Sequence, residues 1–135
     1  MARHKHVKLI VAIGNFGQIG NRGQLPWHDP DDLAMFKAVT MGGLCIVGKA
    51  TFATLPDLPG RDVVVWKRGV SPDEFALAHS DRQIWVCGGR SIYREWLPHV
   101  STSIVSHIDF DPKCDRYMPW LWKLPVLRKP VKDHP

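Results

Sequence analysis

Leu44-Cys45-Ile46-Val47-Gly48-Lys49-Ala50-Thr51 is a short apolar run, cut by a glycine and followed by residues suited to a helix. Ile84-Trp85-Val86-Cys87-Gly88-Gly89-Arg90-Ser91 repeats the arrangement. An apolar run without alternation reads as a strand covered on both faces, and the glycine marks its end. Residues 7–13, 62–66 and 102–108 read as three more strands. Helix signals lie between them. Asp29-Pro30-Asp31-Asp32 sets an N-cap acid, a proline at the first helical position and acids in the first turn. That pattern predicts a helix to about Met41, ended by Gly42-Gly43. Residues 49–55, 71–79 and 91–97 read as further short helices, the last stopped by Pro98. Strands alternating with helices predict an α/β fold, a mostly parallel sheet of about five or more strands flanked by short helices. Residues 15–24 carry Gly17, Gly20 and Gly23 and read as a loop free to move.

The 135 residues, 44% hydrophobic and 23% charged, predict one folded domain over 1–135 and exclude disorder by composition. No apolar run approaches the roughly 20 residues of a membrane helix. No small-residue cleavage site follows the basic start, so residues 1–6 are expected to be a flexible basic N-terminus rather than a signal peptide. Cys45, Cys87 and Cys114 are odd in number and widely spaced. They argue against a disulfide framework or a zinc site and for a reducing, cytoplasmic setting. The histidines are scattered, none pairing at ligand spacing on a predicted helix, so no metal is expected. Eighteen Lys and Arg against 13 Asp and Glu leave a net charge of +5. Such an excess suits a solvated basic surface or an anionic ligand. Nucleic acid would require one basic, aromatic face, whereas these cations divide between the strand ends and the termini. Residues 120–135 differ from the rest: Trp120, Trp122, Pro125, Pro130 and Pro135 with Arg128, Lys129 and Lys132 predict an irregular basic tail.

Several residues can carry chemistry. Asp32 lies in the first turn of a helix whose apolar Leu33 and Phe36 follow it, beside Trp27. Its simplest role is to complement the helix dipole. A carboxylate in an apolar cleft also suits proton handling or the gripping of an amidine-like group. Gly88-Gly89 and Gly48-Lys49-Ala50-Thr51 each follow a buried strand and precede a helix. Either is by itself a tight turn, but two on one sheet edge can hold the two ends of a dinucleotide. Lys67-Arg68 would add cations to that edge. Arg61 is a loop arginine or a fork for a carboxylate. Cys87, on an apolar strand, reads as a packed thiol rather than a nucleophile. No Walker A pattern and no G-x-S-x-G elbow is present.

The order of these motifs resembles dihydrofolate reductase. Ala12-Ile13, Ile19-Gly20, Leu25-Pro26-Trp27, Asp32-Leu33, Phe36-Lys37 and Thr40 match its N-terminal part. Val47-Gly48-Lys49, Thr51-Phe52, Leu58-Pro59-Gly60-Arg61, Val86-Cys87-Gly88-Gly89, Tyr93 and Ser106-His107-Ile108-Asp109 continue the match, which runs from about Lys8 to Pro119. The resemblance implies a three-layer domain and NADPH-dependent reduction of dihydrofolate to tetrahydrofolate. It implies a catalytic group of Asp32, Ser106, Trp27 and Leu25. Asp32 would bind the pterin 2-amino and N3 groups and assist protonation. Ser106 keeps a hydroxyl where the family usually has threonine. Leu25 would lie in the mobile loop covering the nicotinamide. The substrate pocket would include Ala12, Leu33, Phe36, Leu55, Leu58 and Cys87, with Arg61 pairing the glutamate α-carboxylate. On the cofactor side, Ala12, Ile19, Cys87 and Tyr93 match the nicotinamide end, and Gly88, Gly89, Arg90 and Ser91 the pyrophosphate turn. Gly48, Lys49, Thr51, Lys67 and Arg68 match the adenosine 2′-phosphate edge.

The chain also departs from the pattern. The segment between Trp66 and Ile84 is short, and the two antiparallel strands usual after Pro119 are replaced by the tail. The strand at 102–108 would then lose a neighbour and expose an edge. Residues 120–126, or a second subunit, are expected to cover it, making the protein a monomer or a homodimer through that edge. Two other readings stay open: a reductase of another pteridine or pyrimidine, and a nucleotide-binding module without turnover.

Overall fold

The computed structural model describes residues 3–118. In chain order it contains β1 (His4–Ile13), β2 (Gln18–Gly20), α1 (Pro30–Val39), β3 (Leu44–Val47), α2 (Lys49–Thr54) and β4 (Asp62–Val65). Then follow α3 (Pro72–Ala78), β5 (Ile84–Gly88), α4 (Arg90–Trp96), a 3-10 turn (Leu97–His99), β6 (Val100–His107) and β7 (Arg116–Tyr117). Five strands form one sheet in the order β4-β3-β5-β1-β6, and every neighbouring pair is parallel.

Alternation along each strand splits its apolar residues between two faces. Leu9, Val11, Ile84, Val86 and Val105 face one way and pack with Ala76 of α3 and Ile92, Tyr93 and Trp96 of α4. Ile10, Cys45 and Trp85 face the other way and pack with Met35, Phe36 and Val39 of α1. The molecule therefore has helix, sheet and helix layers. The expected sheet of strands closed on both faces is present. No helix among the described residues is long and apolar enough to cross a membrane.

The helix signals act as read. The Asp29 side chain caps α1 by accepting from the Asp32 N–H, and Ser71 accepts from Glu74 at α3. Two expectations need correction. The stretch 1–6, expected to lie outside the sheet, overlaps a strand: His4 opens β1 opposite Val100, and Arg3 donates to the Val100 carbonyl at 2.6 Å. The His6 ring lies 2.8 Å from the Ala76 carbonyl. Polar side chains there hid a strand that reaches past the apolar run. The glycine-rich segment at 15–24 is likewise not all loose. Its β2 pairs antiparallel with β7. Gln18 is fully buried; its amide nitrogen lies within 3.0–3.2 Å of the Phe110, Asp111 and Pro112 carbonyls, and its Oε1 accepts from Phe16 N–H. Gly14 permits this, because a Cβ there would meet Gln18 Oε1 at 2.4 Å. Among the described residues β6 is a sheet edge. The tail expected to cover it lies outside them.

Trp96 is fully buried at the centre of an aromatic group, its ring 4.9 Å from Trp66 and 6.1 Å from Phe75. It joins α4 to α3 and to the residue that follows β4. Trp96→Ala should lower the unfolding free energy by about 3–5 kcal/mol, measurable by urea denaturation followed by circular dichroism.

Candidate active site

β1 and β5 pair from Val7–Ile84 to Leu9–Val86 and then part. The Tyr93 hydroxyl fills the gap, 2.8 Å from both the Ile10 and Cys87 carbonyls, with one proton to share between them. Burial pushes the phenol well above its ordinary pKa, so it stays a neutral donor. Just beyond, the Gly88-Gly89 turn carries α4, with a cis peptide between the two glycines. Gly88 has φ +128, and a Cβ on it would lie 3.3 Å from the Tyr93 hydroxyl. Gly48, ending β3, donates its N–H to the Gly88 carbonyl at 2.8 Å. A Cβ on Gly89 would touch Thr51 Oγ1 at 3.4 Å. The two turns singled out in the sequence are thus pressed together at the carboxyl ends of adjacent strands. Ligands of open α/β sheets bind at such ends.

Cations rim this cradle. Lys49 follows β3, Lys67 and Arg68 follow β4, and Arg90 follows β5; all four are exposed. Because β4, β3 and β5 are consecutive in the sheet, their charges share one edge. Ser91 is exposed beside Arg90.

A second wall lies between α1 and the sheet. Ala12 and Ser106 are register partners on β1 and β6, two residues on from Ile10 and Ile104, so they project from the face that α1 covers. Ser106 is buried. Asp32 is buried in the first turn of α1, and Phe36 packs one turn further along. Trp27 is buried edge-on to Phe110, with ring centroids 5.4 Å apart. Its Nε1 has no hydrogen-bond partner among the described residues. A buried indole N–H without a partner is costly, so it marks a place where a polar ligand atom or water fits. Cys87 is partly buried on the α1 face of β5, and burial, followed by its contact with Cys45, raises its pKa. It is a packed thiol, as the sequence suggested.

The remaining residues divide. Leu58 is buried and Leu55 half-buried, whereas Leu33 and Leu25 are exposed at 38% and 57%. Ile19 packs against the cluster on the α3–α4 face. Arg61 is anchored: Nε donates to Thr40 Oγ1 at 2.9 Å, one terminal nitrogen to the Pro59 carbonyl at 2.6 Å, and the other to the Lys37 carbonyl. A guanidinium has five N–H groups, so each terminal nitrogen keeps one for a carboxylate. Sequence reading missed Gln18 and Phe110, since only the chain's return near residue 110 reveals their contacts.

Two glycine turns with a cationic rim, and a buried acid on the helix covering the other face, give this α/β fold a candidate enzyme site at the carboxyl ends of its strands. The family model described as dihydrofolate reductase matches residues 6–126. The chain is 34% identical to dihydrofolate reductase type 9 of Escherichia coli, over 81% of this chain and 73% of the relative. It is 31% identical to dihydromethanopterin reductase of Methylorubrum extorquens, over 86% of this chain and 92% of that one. A solved structure of Enterococcus faecalis dihydrofolate reductase, complexed with NADP(H) and RAB-propyl, superposes with a TM-score of 0.71 at 29% identity. It covers 86% of this chain and 79% of its own. The chain belongs to the dihydrofolate reductase family.

Gly88→Ala would put a Cβ on a residue at φ +128 and against Tyr93. It should cost about 1–3 kcal/mol of stability, read from the shift in denaturation midpoint.

Proposed function

We propose that the protein reduces 7,8-dihydrofolate to 5,6,7,8-tetrahydrofolate, with hydride added at C6 and a proton at N5. NADPH, when bound, supplies the hydride. The reading rests above all on one observation: Asp32 is buried on the helix that faces Ala12 and Ser106, beside a glycine cradle with a cationic rim.

The residues present suit the cofactor. The turns at Gly48 and Gly88-Gly89 bring the backbone of two strand-to-helix junctions together, where a pyrophosphate would lie. Lys49, Lys67, Arg68 and Arg90 would neutralise its phosphates, and their number favours a 2′-phosphate. Ala12, Ile19, Cys87 and Tyr93 would border the nicotinamide, and Thr51 and Ser91 would add hydroxyl donors. In the substrate pocket the Asp32 carboxylate would take paired hydrogen bonds from the pterin 2-amino and N3 groups. This holds the ring and favours proton delivery to N5. Ser106 would orient that carboxylate, and Trp27 would hold a polar atom of the ring or a water beside it. Leu33, Phe36, Leu55 and Leu58 would pack the aminobenzoyl group, and the two remaining N–H groups of Arg61 would grip the α-carboxylate. Leu25, on the glycine-rich segment, would help exclude water over the reacting ring.

Steady-state NADPH oxidation with dihydrofolate tests this. Asp32→Asn should lower kcat/KM by about 10²–10⁴-fold, the range for loss of acid–base assistance, while NADPH still binds. A folded protein that binds NADPH without any dihydrofolate-dependent oxidation would instead be a binding module or a reductase of a different heterocycle. A second reading, reduction of another dihydropterin, is favoured by the 92% coverage of the dihydromethanopterin reductase. Arg61→Ala separates the two. It should lower kcat/KM for dihydrofolate about 10- to 100-fold, the worth of a charged hydrogen bond, and leave a dihydropterin lacking the glutamate unchanged.

A further inference from the structure

At the opposite pole, where β1 and β6 begin, three side chains far apart in sequence meet. His4 is the first residue of β1, Asp73 the second of α3, and His99 the last of the turn before β6. His4 Nε2 lies 2.7 Å and His99 Nδ1 2.9 Å from the same oxygen, Asp73 Oδ1. All three atoms lie within 4.8 Å of one another. The two rings are nearly parallel, 25° apart, with centroids at 6.4 Å. The histidine side chains are 11% and 6% exposed and the aspartate 35%. The site is thus backed by protein and open on the carboxylate side.

We propose that His4, Asp73 and His99 form a binding site for one divalent transition-metal ion of the zinc type, which staples the start of β1 to α3 and to the turn before β6. Two imidazoles and a carboxylate are a donor set for zinc, cobalt or nickel rather than for calcium or magnesium, which prefer oxygen. In a tetrahedral site with bonds near 2.05 Å, donor atoms lie about 3.3 Å apart. The Asp73 oxygen therefore has to retreat by about half an ångström from each imidazole, towards its exposed side, and the two ring nitrogens, within 4.8 Å of each other, come to that same spacing around the ion. Each ring nitrogen that now faces Asp73 would present its lone pair, its proton passing to the other ring nitrogen or to solvent. Three protein donors leave the fourth position to water. Arg3 bonds the Leu97 and Val100 carbonyls on the same rim and opposes the cation, which limits affinity. The site lies at the amino ends of the strands, away from the glycine cradle, so the ion would stabilise the fold without taking part in turnover.

The test is calorimetric titration of the chelator-treated full chain with ZnCl2, with thermal unfolding in parallel. Wild type should bind one equivalent at about 10 μM or tighter and unfold at a higher temperature with zinc than without. Asp73→Asn and His4→Gln should each weaken binding by at least the roughly 10- to 100-fold that loss of even an outer-sphere partner costs, and abolish the thermal shift. His4→Gln keeps a hydrogen-bond donor and decides the matter alone if Asp73→Asn does not fold. Absence of stoichiometric binding, or equal binding by wild type and His4→Gln, overturns the proposal and assigns any uptake to other histidines.

Discussion

Everything at the candidate active site depends on the Tyr93 hydroxyl, wedged between the Ile10 and Cys87 carbonyls where β1 and β5 stop pairing. Parallel strands that diverge leave carbonyls without ladder partners, and buried carbonyls must be satisfied. A side chain from α4 supplies the donor. The same contact sets α4 against the sheet and fixes the Gly88-Gly89 turn that precedes it. The parting of the strands is thus bridged by the Tyr93 hydroxyl rather than left as empty space.

The charges are arranged around that crevice for a reason of topology. A parallel sheet delivers the ends of all its strands to one side, so residues that follow different strands gather there. Lys49, Lys67, Arg68 and Arg90 come from three strands and share one rim. Part of the net basic charge is in this way explained locally. Asp32 is buried in the first turn of α1, the helix that covers the sheet face of Ile10, Cys45 and Trp85. A cationic rim and a buried acid thus lie on two sides of one sheet, which is the arrangement the proposed function draws on.

The family match extends across residues 6–126, and relatives of different length share it. The chain covers 92% of the dihydromethanopterin reductase but 73% of the type 9 enzyme. The retained part contains the five-stranded sheet and both glycine turns. Both glycine turns and the cationic rim lie within the described residues 3–118.

Much of this was legible in the chain itself. Apolar runs marked the five sheet strands, three of them ended by glycine, and Asp29 and Ser71 marked two helix starts, because both signals are local. Asp32, Arg61 and the two glycine turns stood out through short motifs in a specific order. Other features were not legible. The histidines looked scattered because 69 residues separate His4 from Asp73 and 26 separate Asp73 from His99. Gln18 looked like a loop residue because its amide partners lie more than 90 positions away. The N-terminal strand began earlier than its apolar run because His4 and His6 are satisfied by α3, not by an alternating pattern. Hydrophobic order and turn residues by themselves determined the layers and the place of the cradle. Which polar groups meet across the sheet was decided only by tertiary structure, since hydrogen bonds between distant segments depend on register and packing that no local run of residues encodes.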